Sequence, residues 1–336
     1  METRPARSGD YGGRVTTTAA APVTAKPKVR WKRVGLFYAI AFGWVCLVAA
    51  GLFVTGNRDL SGPVGLAPVT VAIALLYMPA PMVAAIIVQR LGGQPSGLRT
   101  VLHGLRGMLP RMLAVVASLS VALMLVMLAG TWAAYTVVGL DGAGRILTGH
   151  EDLVANTLRL AGSMDASQVA SLQAGLPPFW LLLPLALIGG LVAGFTINGL
   201  FALGEEFGWR GWLADELRPI GPFWANLLTG VLWGLWHTPL ILLGFNYDGY
   251  GRLGPAFMIA FCVPLSFLLW RVREATGSVL GAAALHGAFN GFAGVFAIVL
   301  YDAHPLLGAP VGLIGAAAVA VVAAGFWFLT RRTRHV

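Results

Sequence analysis

Long apolar runs recur along this chain of 336 residues and constrain its fold more than any other feature. Several runs exceed 18 residues with almost no charge, which is the length that a helix needs to cross a bilayer. Runs of this length favour spanning helices, because a helix satisfies its own backbone polar groups in hydrocarbon. With 57% apolar and 11% charged residues, the chain is predicted to be an all-α polytopic membrane protein.

The runs predict eight transmembrane helices, at residues 34–57, 64–89, 112–138, 178–204, 222–245, 253–270, 278–301 and 305–330. They divide the chain into five parts: a disordered basic cytoplasmic tail (1–33), three transmembrane helices (34–138), an extracytoplasmic loop (139–177), a core with most of the buried polar residues (178–301), and a last helix with a basic tail (302–336). The loop is interpreted as a connector with one or two short surface helices.

The net charge of +9 would suit a nucleic-acid partner, but the distribution of the charges excludes one. If the N-terminus is cytoplasmic, all but four of the 23 Lys and Arg residues fall in cytoplasmic segments. This bias predicts a multi-pass protein of the plasma (inner) membrane with both termini in the cytoplasm. The basic residues would also attract anionic lipid headgroups, so membrane lipid is an expected partner. The oligomeric state is not readable.

Two adjacent carboxylates, Glu205 and Glu206, follow the uncharged run 178–204. Charged groups are costly near hydrocarbon and mark functional sites by default. On a helix, Glu206 and Arg210 share a face and can pair, whereas Glu205 is rotated by about 100° and can point elsewhere. We expect one structural carboxylate and one that is free for chemistry; the alternative is a plain ion pair at a helix end. The sequence leaves open whether the helix continues beyond Arg210.

Two later apolar runs carry further polar residues. His237 follows Trp233 by four residues, and Asn290 follows His286 by four, so each pair lies on one face of its helix. A lone buried histidine is commonly bonded to a neighbouring carbonyl. Two histidines, an amide and a diacid on three spans instead favour one shared polar cluster.

These motifs resemble the CPBP family of CAAX-prenyl proteases and bacteriocin-processing membrane proteins, also called Abi, which includes the Ras-converting CAAX endopeptidase. The resemblance covers about residues 178–301 and rests on Glu205-Glu206-x-x-x-Arg210, Trp233-x-x-x-His237 and His286-x-x-x-Asn290. The second motif usually begins with Phe. Trp233 in its place puts little in doubt about the resemblance, because both side chains are large aromatics.

The resemblance implies an all-helical intramembrane endopeptidase with a conical cavity open to the cytoplasm. It assigns four catalytic residues, namely Glu205, His237, His286 and Asn290. Glu205 would be the general base that activates water, with His237 assisting, and the other two would form the oxyanion side. An Asn amide and an imidazole N–H are suitable donors for that purpose. The residues expected to support this geometry are Glu206, Arg210 and Trp233.

The use of a metal stays open in the sequence. Glu205, His237 and His286 can supply three ligands of a zinc ion, with water in the fourth position. However, the chain has no His-Glu-x-x-His helix, and the family has been described both as metalloproteases and as glutamate-dependent proteases. The expected cofactor is therefore none or zinc, and we favour the metal-independent reaction.

The motifs are compatible with three functions. The protease hypothesis expects a membrane-associated peptide or protein substrate, CAAX-like or prenylated by resemblance. A proton-coupled transporter would also place Glu, His and Arg in the membrane, but it predicts inverted repeats, and the sequence has no convincing one. A non-catalytic binding or immunity protein of the same fold would be indicated by a lost motif residue. No motif residue is lost, which favours the protease.

Overall fold

The computed structural model describes residues 28–60, 68–95, 97, 105–162 and 164–331. These residues are mostly helical, and the predicted all-α membrane fold is confirmed. Most of the basic tail predicted at 1–33, and residues 332–336 of the C-terminal tail, lie outside the described part.

The first half contains the α-helices α1 (Trp31–Val54), α2 (Pro68–Ala72), α3 (Ala80–Leu91), α4 (Leu105–Trp132), α5 (His150–Ala161) and α6 (Ala166–Gly175). The second half contains α7 (Phe179–Gly194), α8 (Ile197–Glu206), α9 (Ala214–Glu216), α10 (Pro222–Trp236), α11 (Thr238–Ile241), α12 (Gly254–Thr276), α13 (Val279–Phe292), α14 (Val295–Val299) and α15 (Leu313–Thr330). Wider π-helical turns occur at Ile73–Tyr77, Ala133–Val137 and Phe207–Leu213. Short 3-10 turns occur at Asp141–Ala143 and Arg218–Ile220, and β1 (Arg145–Ile146) pairs antiparallel with β2 (Leu300–Tyr301).

Within the described ranges, six helical stretches are long and apolar enough to cross a membrane: Trp31–Val54, Val69–Leu91, Gly107–Val137, Gly254–Thr276, Val279–Val299 and Leu313–Thr330. The count becomes seven if α6 and α7, which meet at 88°, form one bent span. Large apolar side chains on the outside of the bundle fit a lipid-facing surface; Leu47, Trp180 and Leu329 are 77%, 72% and 78% exposed.

Two of the eight predicted spans, 178–204 and 222–245, contain no single helix that is long enough to cross a membrane. The first is broken at Thr196, whose backbone angles (φ −129°, ψ −111°) lie outside the helical region. The second ends at Trp236 as α10, and the short α11 follows after His237. Pro239 lacks the N–H that a continued helix would need two residues beyond His237, so the interruption has a local cause.

Helix α13 forms the centre of the bundle. All of its residues except Leu280, Asn290 and Gly291 are buried. Gly194 of α7 lies so close that an added Cβ would stand 2.5 Å from the carbonyl oxygen of Ala284. Gly190, one turn earlier, approaches the same helix in the same way. This close packing is what the spacing of small residues in α7 indicates.

Polar contacts at one end of the bundle join the beginning and the end of the chain. Arg30, just before α1, binds Glu216 of α9 through Nε and Nη2 at 2.7 and 2.5 Å. Arg271 of α12 donates through Nε to Thr330 Oγ1 of α15 at 2.7 Å. Arg273 of α12 donates to Asp215 of α9 at 3.0 Å, so the start of α1, the segment after Arg210 and the end of α15 lie at the same end of the bundle.

The segment 139–177 packs onto the opposite end. It contains the two short helices that were predicted, α5 and α6. Asn156 of α5 is buried, and its Nδ2 donates to the carbonyl oxygens of Ala297 and Ile298 at 3.0 and 2.8 Å. These bonds satisfy carbonyl groups at the end of α14. The segment therefore caps α14 as well as connecting two helices.

Candidate active site

Glu205 and Glu206 lie within a continuous helical stretch that extends from Ile197 to Glu216. α8 ends at Glu206, the π-helical turn Phe207–Leu213 follows directly, and α9 continues from it. The helix thus extends beyond Arg210, which the sequence left open, and both carboxylates are removed from its ends. π-Helical insertions are rare and are frequent at functional sites.

Glu206 contacts two basic side chains through one oxygen. Its Oε1 accepts a hydrogen bond of 3.0 Å from Arg210 Nη1 and lies 2.9 Å from His286 Nδ1. The predicted pairing of Glu206 with Arg210 is confirmed, and the pair is buried, with 0% and 1% of the side chains exposed. Because a carboxylate oxygen accepts, His286 Nδ1 carries a proton and its Nε2 is directed elsewhere.

The buried ion pair is only partly satisfied. Glu206 Oε2 and Arg210 Nε and Nη2 have no hydrogen-bond partner in the described part of the chain. Removing one member of such a pair leaves an uncompensated charge away from water. The arrangement therefore depends on both members, which is the behaviour of a structural pair.

Glu205 has a different partner. Its Oε2 accepts a hydrogen bond of 2.7 Å from Trp233 Nε1, and the residue is 3% exposed. Its Oε1 accepts no hydrogen bond from the described residues. One oxygen is held while the other is free, so the two carboxylates differ in their surroundings as the sequence predicted.

His237 occupies the first position after α10. Its Nδ1 lies 2.8 Å from the carbonyl oxygen of Trp233, and the ring is half-buried. A carbonyl oxygen only accepts, so Nδ1 donates its proton, and Nε2 of the neutral ring keeps a lone pair. The histidine is thus oriented by the backbone of its own helix and presents a proton acceptor.

The Trp233 ring joins these groups. Its centroid lies 5.8 Å from the His237 ring and 5.4 Å from the His286 ring, and the Arg210 guanidinium carbon is 4.2 Å from it. The structure therefore brings Glu205, His237 and His286 together around one indole. Trp233 also makes a contact that the usual Phe could not make, because Phe has no N–H to donate to Glu205.

Asn290 is the one predicted catalytic residue that no contact joins to this cluster. It lies one turn beyond His286 on α13, it is exposed, and it makes no hydrogen bond with the described residues. Its amide remains available at the end of the buried part of that helix.

Asn198 is a polar residue of this region that sequence reasoning missed. Its Nδ2 donates to the carbonyl oxygen of Gly287 at 3.3 Å, and a Cβ added to Gly287 would lie 2.6 Å from the backbone nitrogen of Gly199. The start of α8 is therefore held against α13 beside His286. A signal exists in the sequence, since Asn198 precedes Glu205 by seven residues, or about two helical turns.

The three side chains considered as zinc ligands do not form a ligand set in this conformation. Across the described ranges, no group of three His, Cys, Asp or Glu side chains could hold a metal ion. His286 turns its Nδ1 to Glu206 rather than toward Glu205.

A cavity of about 480 Å³ lies at the end of the bundle where Arg30 meets Glu216. Phe207 and Gly211 of the π-helical turn line it, and none of the four predicted catalytic residues does. On the neighbouring face of the same turn, Arg210 points to Glu206. This cavity therefore does not reach the predicted catalytic residues.

Comparisons with known proteins agree with the motifs. Residues 176–292 match the family model described as "Type II CAAX prenyl endopeptidase Rce1-like". A curated "CAAX prenyl protease 2" of Methanococcus maripaludis is 30% identical over 147 residues, and the alignment covers 34% of this chain and 54% of that protein. The chain thus spans about half the length of the curated relative that it matches. The matched residues contain all three motifs.

Proposed function

We propose, from the match of residues 176–292 to the Rce1-like CAAX prenyl endopeptidase model, that this chain is an intramembrane endopeptidase that hydrolyses a peptide bond by means of a glutamate-activated water. The observation that carries the proposal is the environment of Glu205. One of its oxygens is held by Trp233, the other is free, and two histidines contact the same indole. A positioned carboxylate beside a proton-accepting imidazole is a suitable pair for general base catalysis.

In the proposed reaction, Glu205 Oε1 takes a proton from a bound water, and His237 Nε2 assists by accepting a hydrogen bond from that water. The water oxygen attacks the carbonyl carbon of the scissile bond, and a tetrahedral intermediate forms. The proton then passes to the amide nitrogen, the C–N bond breaks, and a carboxylate and an amine leave. Each transfer uses a group that is already oriented by a partner, Trp233 for both residues.

His286 and Asn290 are proposed to stabilise the oxyanion of the intermediate. The Asn290 amide is a donor without a partner in the described part of the protein. His286 donates its Nδ1 proton to Glu206, so it donates to an oxyanion through Nε2 only when the ring carries both protons. The carboxylate of Glu206 would balance that charge, which gives Glu206 and Arg210 a supporting role.

The substrate is proposed to be a membrane-associated peptide or protein with a CAAX-like, prenylated C-terminus, by analogy with the name of the curated relative. The protein is proposed to lie in the plasma (inner) membrane in contact with its lipids, with both termini cytoplasmic. The location of the basic residues at the Arg30–Glu216 end of the bundle supports this orientation.

Cleavage of fluorogenic peptides by the purified protein in lipid nanodiscs tests the proposal. One peptide ends in a farnesylated Cys-aliphatic-aliphatic-X sequence, and the other has the same sequence without the lipid. We expect Glu205→Ala and His237→Ala to lower kcat by orders of magnitude while leaving a measurable residual rate. The double variant should be no worse than the more severe single one, because members of a catalytic unit are not additive. Asn290→Ala alone should lower kcat by about 10²–10³-fold, as the removal of an oxyanion donor does.

Glu151→Gln, an exposed carboxylate outside the cluster, is the control and should keep full activity. Full activity of Glu205→Ala would overturn the mechanism. Activity that survives exhaustive chelation but is lost in Glu205→Ala would support the metal-free reaction, whereas loss on chelation and recovery with zinc would assign it to a metal. If membranes with wild-type protein and with Glu205→Ala contain the same peptide C-termini, a binding or immunity role is favoured instead.

A further inference from the structure

We propose that Tyr77, which lies outside the matched region 176–292, is a positioning residue for His237 in the proposed reaction. Its hydroxyl donates a hydrogen bond of 2.6 Å to the carbonyl oxygen of Trp236, the residue before His237. Tyr77 and Trp236 are 1% and 0% exposed, and their ring centroids are 4.5 Å apart. This inference rests on the proposed function, and it concerns a part of the chain that carries none of the family motifs.

The contact matters because α10 ends at Trp236. The last carbonyl groups of a helix have no partner within it and must be satisfied from elsewhere. The peptide unit between Trp236 and His237 is held on both sides: its N–H donates to the carbonyl oxygen of Gly234 at 3.2 Å, and its carbonyl accepts from Tyr77. The direction in which the His237 side chain leaves the helix is therefore set partly by the Tyr77 hydroxyl.

Tyr77 is itself held close to the carboxylates. It closes the π-helical turn Ile73–Tyr77, and the next residues pack against α8. A Cβ added to Gly204 would lie 2.9 Å from the carbonyl oxygen of Met78 and from Pro79 Cα. The segment Tyr77–Pro79 thus contacts both the helix that carries Glu205 and the turn that carries His237.

Trp236 has a second link to the N-terminal helices. Its Nε1 donates to the carbonyl oxygen of Ala41 in α1 at 3.3 Å. The Trp236 carbonyl contacts Tyr77 and the Trp236 indole contacts Ala41, and both partners precede the core that carries the motifs. The geometry of the His237 turn is therefore completed by segments that the family motifs do not include.

Tyr77→Phe removes the hydroxyl and keeps the ring. The matched control is Tyr247→Phe, because Tyr247 is likewise buried, with 0% exposed. Its hydroxyl also donates to a backbone carbonyl, that of Val311, at 2.9 Å. Both variants should lose a similar, small part of the thermal stability. Only Tyr77→Phe should lower kcat, by roughly 10-fold to 100-fold with little change in KM, since small displacements of a catalytic group have effects of that size.

A double-mutant cycle then separates positioning from general weakening. If Tyr77 acts through His237, Tyr77→Phe should cause no further loss in a His237→Ala background. Equal kcat in Tyr77→Phe and Tyr247→Phe, or the same fold loss in the presence and in the absence of His237, would overturn the inference.

A second readout does not depend on activity. In protein with ¹⁵N-labelled histidine, the ring signals of His237 are assigned by their absence in His237→Gln. We expect them to shift or broaden in Tyr77→Phe and to stay unchanged in Tyr247→Phe. Unchanged signals in Tyr77→Phe would overturn the positioning role. If the wild-type protein hydrolyses no peptide, the proposed function fails, and these spectra still decide whether Tyr77 orients His237.

Discussion

Trp233 Nε1 donates a hydrogen bond of 2.7 Å to Glu205 Oε2, across the interface between α8 and α10. The same indole contacts the rings of His237 and His286. Trp233, at a motif position where a large aromatic side chain is expected, thus orients Glu205, the proposed base. A charge-assisted bond of this length restricts rotation of the carboxylate and leaves one oxygen to act on water.

Trp233→Phe should therefore lower kcat while the fold is retained. The ring contacts with Arg210 and the histidines persist in part, but Glu205 loses its donor and becomes free to rotate. We expect a loss of roughly 10-fold in kcat, measured with the fluorogenic peptide in nanodiscs. Trp209→Phe is the control, because Trp209 is equally buried and its Nε1 has no hydrogen-bond partner among the described residues. Equal activity in the two variants would show that the Trp233 N–H has no part in the reaction.

Arg210→Ala should destabilise the protein more than Glu205→Gln does. The first change leaves Glu206 buried without its cation, and the loss of one partner of a buried pair costs about 3–5 kcal/mol. The second change keeps the size of the side chain and an oxygen that accepts from Trp233. Equilibrium unfolding in mixed micelles, followed by circular dichroism, measures both. If Glu205→Gln proves the more destabilising, the structural and the chemical carboxylate have been interchanged.

Gly194→Ala should weaken the packing of α7 on α13. An added Cβ would lie 2.5 Å from the carbonyl oxygen of Ala284, so the helices must separate, which typically costs about 1–3 kcal/mol. Gly189→Ala is the matched control on the same helix, because nothing lies within 4 Å of a Cβ at that position. It should be neutral or slightly stabilising, since Ala is the better helix former. Similar unfolding midpoints for the two variants would argue against this packing.

The two ends of the bundle should face opposite sides of the membrane. A cysteine at Arg218, which is exposed near the Arg30–Glu216 end, should be labelled only when the inner membrane is permeabilised. A cysteine at Glu151, in the segment packed on the opposite end, should react with an impermeant reagent from outside. Both are made in a Cys46→Ala background, because Cys46 is an exposed free thiol. Labelling of position 218 from outside would invert the proposed orientation.

The sequence alone predicts the helical membrane fold and, within the site, the pairing of Glu206 with Arg210. The apolar runs determine the class, because a backbone in hydrocarbon has few alternatives to the helix. The Glu206–Arg210 pair is equally local, since a spacing of four residues brings two side chains together on any helix.

The tertiary structure decided the rest, because the deciding contacts join residues that are far apart in the chain. Only the packing of α13 shows that His286 meets Glu206 rather than Glu205. Only the packing of α10 shows that the N–H of Trp233 reaches Glu205. Tyr77 contacts a backbone carbonyl, which every residue carries, so no side-chain pattern could indicate its partner. The interruption at Thr196 also stayed hidden, because hydropathy measures the polarity of a run and not the backbone angles within it. Pro239, by contrast, marks the interruption after Trp236 in the sequence.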